Sequence, residues 1–331
     1  MSQPFPRVNR RRTFQSLAAV LGVAGLLLWW LLPLDSDRPA GQVTFSTGVR
    51  SGVYERYGQL LKKAADHDLP RVDVRLRNSE GSQENVRRVA TGEADFTIAA
   101  ADAVEKYKED GEPGAGRLRG CARLYDDYLQ LVVARRSPVQ SVADLRGKRV
   151  AVGQVGSGVR LIADRLLEAA GLDPATGVKP VSIGIDTMPQ RLEEGSIDAF
   201  FWSGGLPTSS VRALSERFDV RLVELGGLVD KLHKAGGVAR YYRSATMPAD
   251  AYPAAQQGAP VSTLAVANLL VTTDRVGAAL TEGLTRTVID SRDGIGRQVH
   301  AAQLVDLRTA IYTDPLPLQE GARRYYRSVK L

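Results

Sequence analysis

The 331-residue chain has one cysteine, Cys121, and only three histidines, His67, His233 and His300. A single thiol cannot close an internal disulfide, so an exported domain would rest on its packing alone. Because it lies far from the N-terminus, a cysteine-linked lipid anchor is not expected. The histidines form no spaced pair, and no cysteine or carboxylate cluster has zinc-ligand spacing, so no metal is expected. Catalytic and cofactor motifs are equally sparse. Gly156-Ser157-Gly158 lacks the first glycine of a nucleophile elbow, because that position is Val155. Gly153-Gln-Val-Gly-Ser-Gly158 is a scrambled dinucleotide loop with no acid to end the next strand, and there is no Walker lysine. The net charge of +7 does not indicate nucleic acid either. Arg7, Arg10, Arg11 and Arg12 supply four of those charges with no acid before Asp35, and no basic stripe with stacking aromatics follows. With no base, metal or cofactor signature, binding rather than catalysis is the leading class.

Residues 1–16 read as a basic cytoplasmic segment and Leu17 to Leu34 as an apolar run that ends in Trp29, Trp30 and a short Leu-Leu-Pro-Leu stretch. Eighteen apolar residues are near the minimum for a membrane span, and the arginine flank orients the remainder outside the cytoplasm. The run lacks a clear small-residue cleavage site and its tryptophans suit an interfacial anchor, so a retained membrane anchor is expected; a cleaved signal peptide is the alternative. Arg11-Arg-Thr-Phe14 leaves twin-arginine export open beside the general route. Residues 35–42, with Pro39 and Gly41, read as a tether.

The rest of the chain repeats itself at about 105 residues. Val43-Thr-Phe-Ser-Thr-Gly-Val-Arg-Ser51-Gly52-Val53 recurs as Val150-Ala-Val-Gly-Gln-Val-Gly-Ser157-Gly158-Val159. Each copy continues through a helix, a second strand near Val72 or Val178, and a loop with Gly81 or Gly184. Each then reaches Gly92-Glu-Ala-Asp95 or Gly195-Ser-Ile-Asp198 before an apolar strand, 96–101 or 199–202. Two βαβαβ units predict an α/β protein of two lobes with parallel, doubly wound sheets and a cleft between them. Helical stripes are expected at Val53, Tyr57, Leu60, Leu61 and Ala64, and at Val159, Ile162, Ala163, Leu166, Leu167 and Ala170. Strands near 130 and 265 are expected to cross between the lobes and form a hinge. This gives lobe 1 as 43–133 with 245–331, and lobe 2 as 134–244. Helices are expected over 207–217, with Pro207 in the first turn, over 274–290 and over 295–311.

The cleft-edge loops carry the candidate site. A glycine turn opening a helix presents unpaired N–H groups and the positive end of the helix dipole, which suits a carboxylate, and Ser51 and Ser157 add hydroxyls. Simple tight turns are the alternative, but two matched loops favour a ligand. Ser82 reads as an N-cap, with Asn85 one turn on. Asp102 stands at the carboxyl edge of a strand, as a ligand contact or as a helix cap. Trp202, followed by Gly204 and Gly205, ends the matching strand of the second copy, as core or as a ligand platform.

In these segments the chain resembles the TAXI group of solute-binding subunits of TRAP transporters. The likeness runs over about 43–328 and rests on Gly81-Ser-x-Glu-Asn85, Gly92-Glu-Ala-Asp95, Asp144-Leu-Arg-Gly-Lys-Arg-Val150, Gly156-Ser-Gly158, Ile197-Asp-Ala-Phe-Phe-Trp202 with Gly205-x-Pro207, and Pro317-Leu-x-x-Gly321-Ala-x-x-Tyr-Tyr326. It implies a type II periplasmic-binding-protein fold, no cofactor, no catalysis, and capture of an amino acid or other small carboxylate for an ion-gradient-driven permease. Ligand contacts would fall on Thr47, Gly48, Arg50, Ser51, Gly52 and Tyr54, on Ser79, Gly81, Ser82 and Asn85, on Asp102, on Gly156, Ser157 and Gly158, and on Trp202, Ser203 and Gly204. The chain departs from the family at Val49-Arg50, where Gly-Gly is usual in the first loop, at Ala100-Ala101, where Gln-Ser is usual, and at Val159, where threonine is common. Polar contacts are thereby lost and one cation, Arg50, is gained, which points to a changed or more acidic ligand. An anchored N-terminus also fits a sensory module reporting to a membrane kinase, and an enzyme on the same fold is a third reading.

Overall fold

A computed structural model of the chain describes residues 39–329. The expected anchor and basic segment lie outside the described residues. Among the described residues no helix is long and apolar enough to cross a membrane.

The first repeat forms strand β1 (Gly41–Ser46), helix α1 (Val53–Asp68), β2 (Val72–Arg77), α2 (Ser82–Thr91) and β3 (Phe96–Ala100), with α3 (Ala101–Glu109) following directly. The second forms β5 (Arg149–Ala151), α4 (Gly158–Ala169), β6 (Lys179–Val181), α5 (Met188–Glu193) and β7 (Ala199–Gly204). Between them runs the long strand β4 (Leu118–Ala134). After α6 (Ser209–Arg217) come β8 (Val220–Val223), β9 (Arg243–Met247) and the second long strand, β10 (Val261–Thr273).

In each copy three parallel strands lie in the same order, β2-β1-β3 and β6-β5-β7, and are flanked by a long antiparallel strand. The carboxyl half of β10 closes the first set and the carboxyl half of β4 closes the second. Because β4 and β10 pair with each other from Leu118 to Tyr128, the expected two sheets are joined into one ten-stranded sheet. The two long strands therefore run through both halves.

The repeat has a physical cause in its Gly-x-x-Asp segment. Gly92 and Gly195 take left-handed backbone conformations, φ +85° and +66°, which end the preceding helices at no steric cost. The chain then turns so that Asp95 accepts the Thr44 N–H at 2.8 Å and returns its own N–H to the Thr44 carbonyl at 2.8 Å. Asp198 makes the same two bonds with Arg149, each at 2.8 Å. Each aspartate thus clamps its third strand to its first.

The expected helical stripes are largely realised, with Val53, Leu60 and Ala170 partly buried and Ala65 rather than Ala64 in the core of α1. Tyr57 and Leu61 of α1, and Val159, Ile162, Ala163, Leu166 and Leu167 of α4, are buried against the sheet, each large apolar side chain contributing roughly 1.5–3 kcal/mol. One core gathers Leu131, Val150, Phe200 and Leu166; another gathers Phe45, Tyr57, Phe96 and Ile98. The helices Ala278–Asp290 and Glu320–Ser328 return to the second of these cores through Leu284, Val288, Tyr325 and Tyr326.

Two helix expectations are corrected. Residues 295–311 do not form one helix: Arg292–Gly296 is followed by a 3-10 turn, His300–Leu304, and a short helix, Leu307–Ala310. Val299 leaves the helical region, at φ −119° and ψ 85°, and Asp306 restarts the helix by accepting the Arg308 N–H at 2.7 Å. Pro207 lies before α6 rather than in it, because the Thr208 hydroxyl is held by the Gly205 carbonyl at 3.0 Å and the helix starts at Ser209.

Candidate functional site

All six loops at the carboxyl ends of the parallel strands face one cavity of about 690 Å³, counting the part open to solvent. The first half contributes Gly48, Gly52 and Tyr54 from the β1–α1 turn, Gly81 and Ser82 from β2–α2, and Asp102 after β3. The second contributes Ser157 and Gly158 from β5–α4, Gly184 and Met188 around α5, and Trp202, Ser203 and Gly204 from β7. The first turns of α1, α2 and α4 leave N–H groups without intrahelical partners at this cavity, together with the positive ends of three helix dipoles.

Several expected contacts instead build the walls. Thr47 is fully buried; its hydroxyl donates to Glu55 at 2.6 Å, and its carbonyl accepts the Asn85 side-chain N–H at 2.6 Å. Asn85 Nδ2 also reaches the Ile98 carbonyl at 3.0 Å, while its Oδ1 accepts from Ser46 at 2.7 Å. Ser79 lies 2.7 Å from the same Oδ1. Thr47, Ser79 and Asn85 therefore tie β1, β2 and β3 together beneath the loops and do not line the cavity.

Arg50 is exposed and stands outside the cavity, so the cation expected in the site is not among its lining residues. Ser51 is exposed and lines a separate depression with Arg56 and Pro207. The two Ser-Gly-Val turns differ here. Ser157 caps α4, its hydroxyl accepting the Arg160 N–H at 3.1 Å, whereas the cap of α1 is Gly52 and Ser51 caps nothing. Gly156 lines an outer groove, and its carbonyl accepts the Glu84 N–H at 3.0 Å.

That bond joins the two halves across the mouth of the cavity. Beside it, the Gln83 side chain donates to the Ser157 carbonyl at 2.6 Å. Gly81, at φ +131°, brings its backbone so close that an added Cβ would lie 3.3 Å from Ser157 Cα. The β2–α2 and β5–α4 loops thus form a direct latch.

Trp202 is buried, and its indole N–H donates to Thr208 Oγ1 at 3.0 Å, so it presents an apolar ring rather than a donor. A Cβ at Gly204 would sit 2.6 Å from the indole nitrogen, which is why glycine follows the tryptophan.

The polar floor of the cavity contains groups that the sequence reading missed. The Ala100 N–H donates to Ser82 Oγ at 3.1 Å, Ser82 Oγ is 3.0 Å from the Tyr54 hydroxyl, and Tyr54 donates to Asn268 Oδ1. Asn268 is fully buried on β10, with its side-chain amide acting on Asp127. Asp127, on β4 opposite Val266, lines the cavity with no cationic side chain among the described lining residues. Burial pushes its carboxyl up to about 7, opposed by the Asn268 amide and reinforced by Asp102. Burial likewise pushes Asp102 up to about 6, against the pull of the Tyr242 hydroxyl and the Ala103 N–H. The same burial, with Asp127 beside it, raises Tyr54 well above the ordinary tyrosine range. The charged side chains among the described lining residues are Glu80, Asp102 and Asp127, all acidic. No group of three or more histidine, cysteine or acidic residues that could hold a metal occurs among the described residues.

Two lobed sets of parallel strands, two shared long strands and a cavity built from every carboxyl-end loop define a type II periplasmic-binding-protein fold. Residues 45–329 match the NMT1-like family, and the chain belongs to it: this is the TAXI/TRAP-associated family of solute-binding proteins. The chain is thus a solute-binding protein of a family whose members serve transport rather than catalysis. Solved structures share the fold at low identity. A putative L-cystine ABC transporter from Listeria monocytogenes is 14% identical over 81% of this chain and 99% of that one, with a TM-score of 0.50. An ancestral arginine-binding protein bound to arginine is 15% identical over 78% of this chain and 98% of that one, also with a TM-score of 0.50.

Proposed function

We propose that this protein works outside the cytoplasm, captures an amino acid or other small organic acid by closing its halves, 43–133 with 245–331 and 134–244, over it, and passes it to a TRAP-type permease. The observation that carries the reading is the symmetric cavity, in which three helix N-termini converge and the two halves bond directly at the mouth. A carboxylate at those N-termini accepts N–H bonds aligned with the helix dipoles and needs no cationic side chain. Trp202 and Met188 offer apolar surface to the body of the solute. Closure follows only if the solute binds the latched state better than the open one, because equal affinity for both shifts nothing.

The test is a thermal-shift and calorimetric screen of the full chain against amino acids, dicarboxylates, 2-oxo acids and sugars, with small-angle scattering on any hit. A ligand at about 100 times its Kd adds roughly 2.7 kcal/mol of stability and should contract the protein. A hit that is chemically converted, or no hit in any class, would defeat the reading.

A further inference from the structure

Asp127 has no counter-charge in the cavity it faces. It is 5% exposed, and the side chain that opposes the effect of its burial is the neutral amide of Asn268. The neighbouring Asp126 takes the adjacent cations instead, bonding Arg123 at 2.7 Å and also Arg243. Asp102 differs from Asp127, since both its oxygens are occupied, by the Tyr242 hydroxyl at 2.9 Å and the Ala103 N–H at 2.8 Å. Glu80 is exposed at the rim. No lysine, arginine or histidine lies among the described lining residues.

A buried carboxylate that faces a neutral amide and no cation is costly, and what relieves it is a group with several N–H donors and positive charge. A second carboxylate brought to the same place would add like-charge repulsion. The helix N-termini of the loops suit the opposite charge. The cavity therefore has an anion-seeking edge and a cation-seeking floor.

We propose that the solute carries a protonated nitrogen that donates to Asp127, so that Asp127 selects amine-bearing solutes over nitrogen-free acids. This rests on the solute-binding reading and adds the chemical class of the ligand. An α-amino acid satisfies both ends of the cavity; a carboxylate-free amine satisfies only the floor.

The experiment has three arms on the full chain: amino acids, simple mono- and diamines, and the 2-oxo acids and dicarboxylates matched to the amino acids in carbon skeleton. Calorimetry is run with the native protein and with Asp127→Asn, whose folding is checked by circular dichroism. The expected result is an amine-bearing ligand that binds at least about tenfold more tightly than its nitrogen-free match, with that margin lost in the variant. Binding by amino acids but not by simple amines means the helix N-termini take the carboxylate; binding by both means that Asp127 alone suffices. A nitrogen-free acid that binds as tightly as its amino counterpart overturns the proposal but leaves the solute-binding reading intact. Undiminished amine affinity in Asp127→Asn overturns it as well. Absence of binding in all three arms overturns both.

Discussion

Asp127→Asn should make the empty protein more stable, and more so at high pH. The native carboxyl titrates at about 7, against 3.8 for an ordinary aspartate. A native value above the unfolded one means that the folded state holds the proton more tightly. Its contribution to stability is then fully present below the unfolded value and is lost as the pH rises through about 7. A difference of about three units at 1.36 kcal/mol each amounts to about 4 kcal/mol of destabilisation by pH 8.5. Asparagine keeps nearly the same shape, carries no charge at any pH, and removes that cost. In a domain of this size each kcal/mol moves Tm by roughly 2 °C, so the variant should melt on the order of 8 °C higher at pH 8.5. At pH 5 the gain should shrink to less than half. Urea denaturation of the ligand-free protein and variant at both pH values measures it. An equal difference at the two pH values, or none, would refute the reasoning, because either would mean that Asp127 is not an uncompensated buried acid.

Other substitutions separate wall, latch and surface. Arg50→Ala should leave ligand affinity within about twofold by calorimetry, since Arg50 is exposed outside the cavity, and a larger loss would put its guanidinium in the site. Gln83→Ala removes the 2.6 Å bond to the Ser157 carbonyl and should weaken binding about 2- to 10-fold, mainly through faster dissociation seen in stopped flow. Asp95→Ala strips the Thr44 N–H of its 2.8 Å acceptor and should cost about 1–3 kcal/mol in chemical denaturation without changing ligand selectivity. Gly204→Ala places a methyl 2.6 Å from the Trp202 indole nitrogen, so it should break the Trp202–Thr208 bond and cost about 1–3 kcal/mol as well as affinity.

The internal repeat made the architecture legible because each half must satisfy the same local demands: a left-handed glycine to stop a helix, an aspartate to clamp a strand, and an apolar stripe to cover the sheet. The site was legible only where function uses the same turns. Gly48, Gly52, Gly81, Ser157, Gly158 and Trp202 line the cavity because they stand where strands end. Thr47 and Ser79 stand just past the same strand ends and Asn85 one turn into α2, yet their polar atoms point beneath the loops, a distinction of side-chain direction that spacing does not carry. Asp127 was hidden differently. Asp126 and Asp127 adjoin each other just before the apolar run 128–134, and nothing in that order tells them apart. The pairing of β4 with β10 does: it sends Asp126 to Arg123 and Arg243 and places Asp127 in the cavity opposite Val266. A residue that contributes to binding by leaving its own charge uncompensated violates the local rules from which folds are read, and such violations concentrate at functional sites. Here the violation lies on one of the two strands that run through both halves, next to Asn268 of the other. If the halves close over the solute as proposed, a ligand nitrogen that quenches it would act on the pair of strands the halves share, and solute charge and closure would be coupled through that pair.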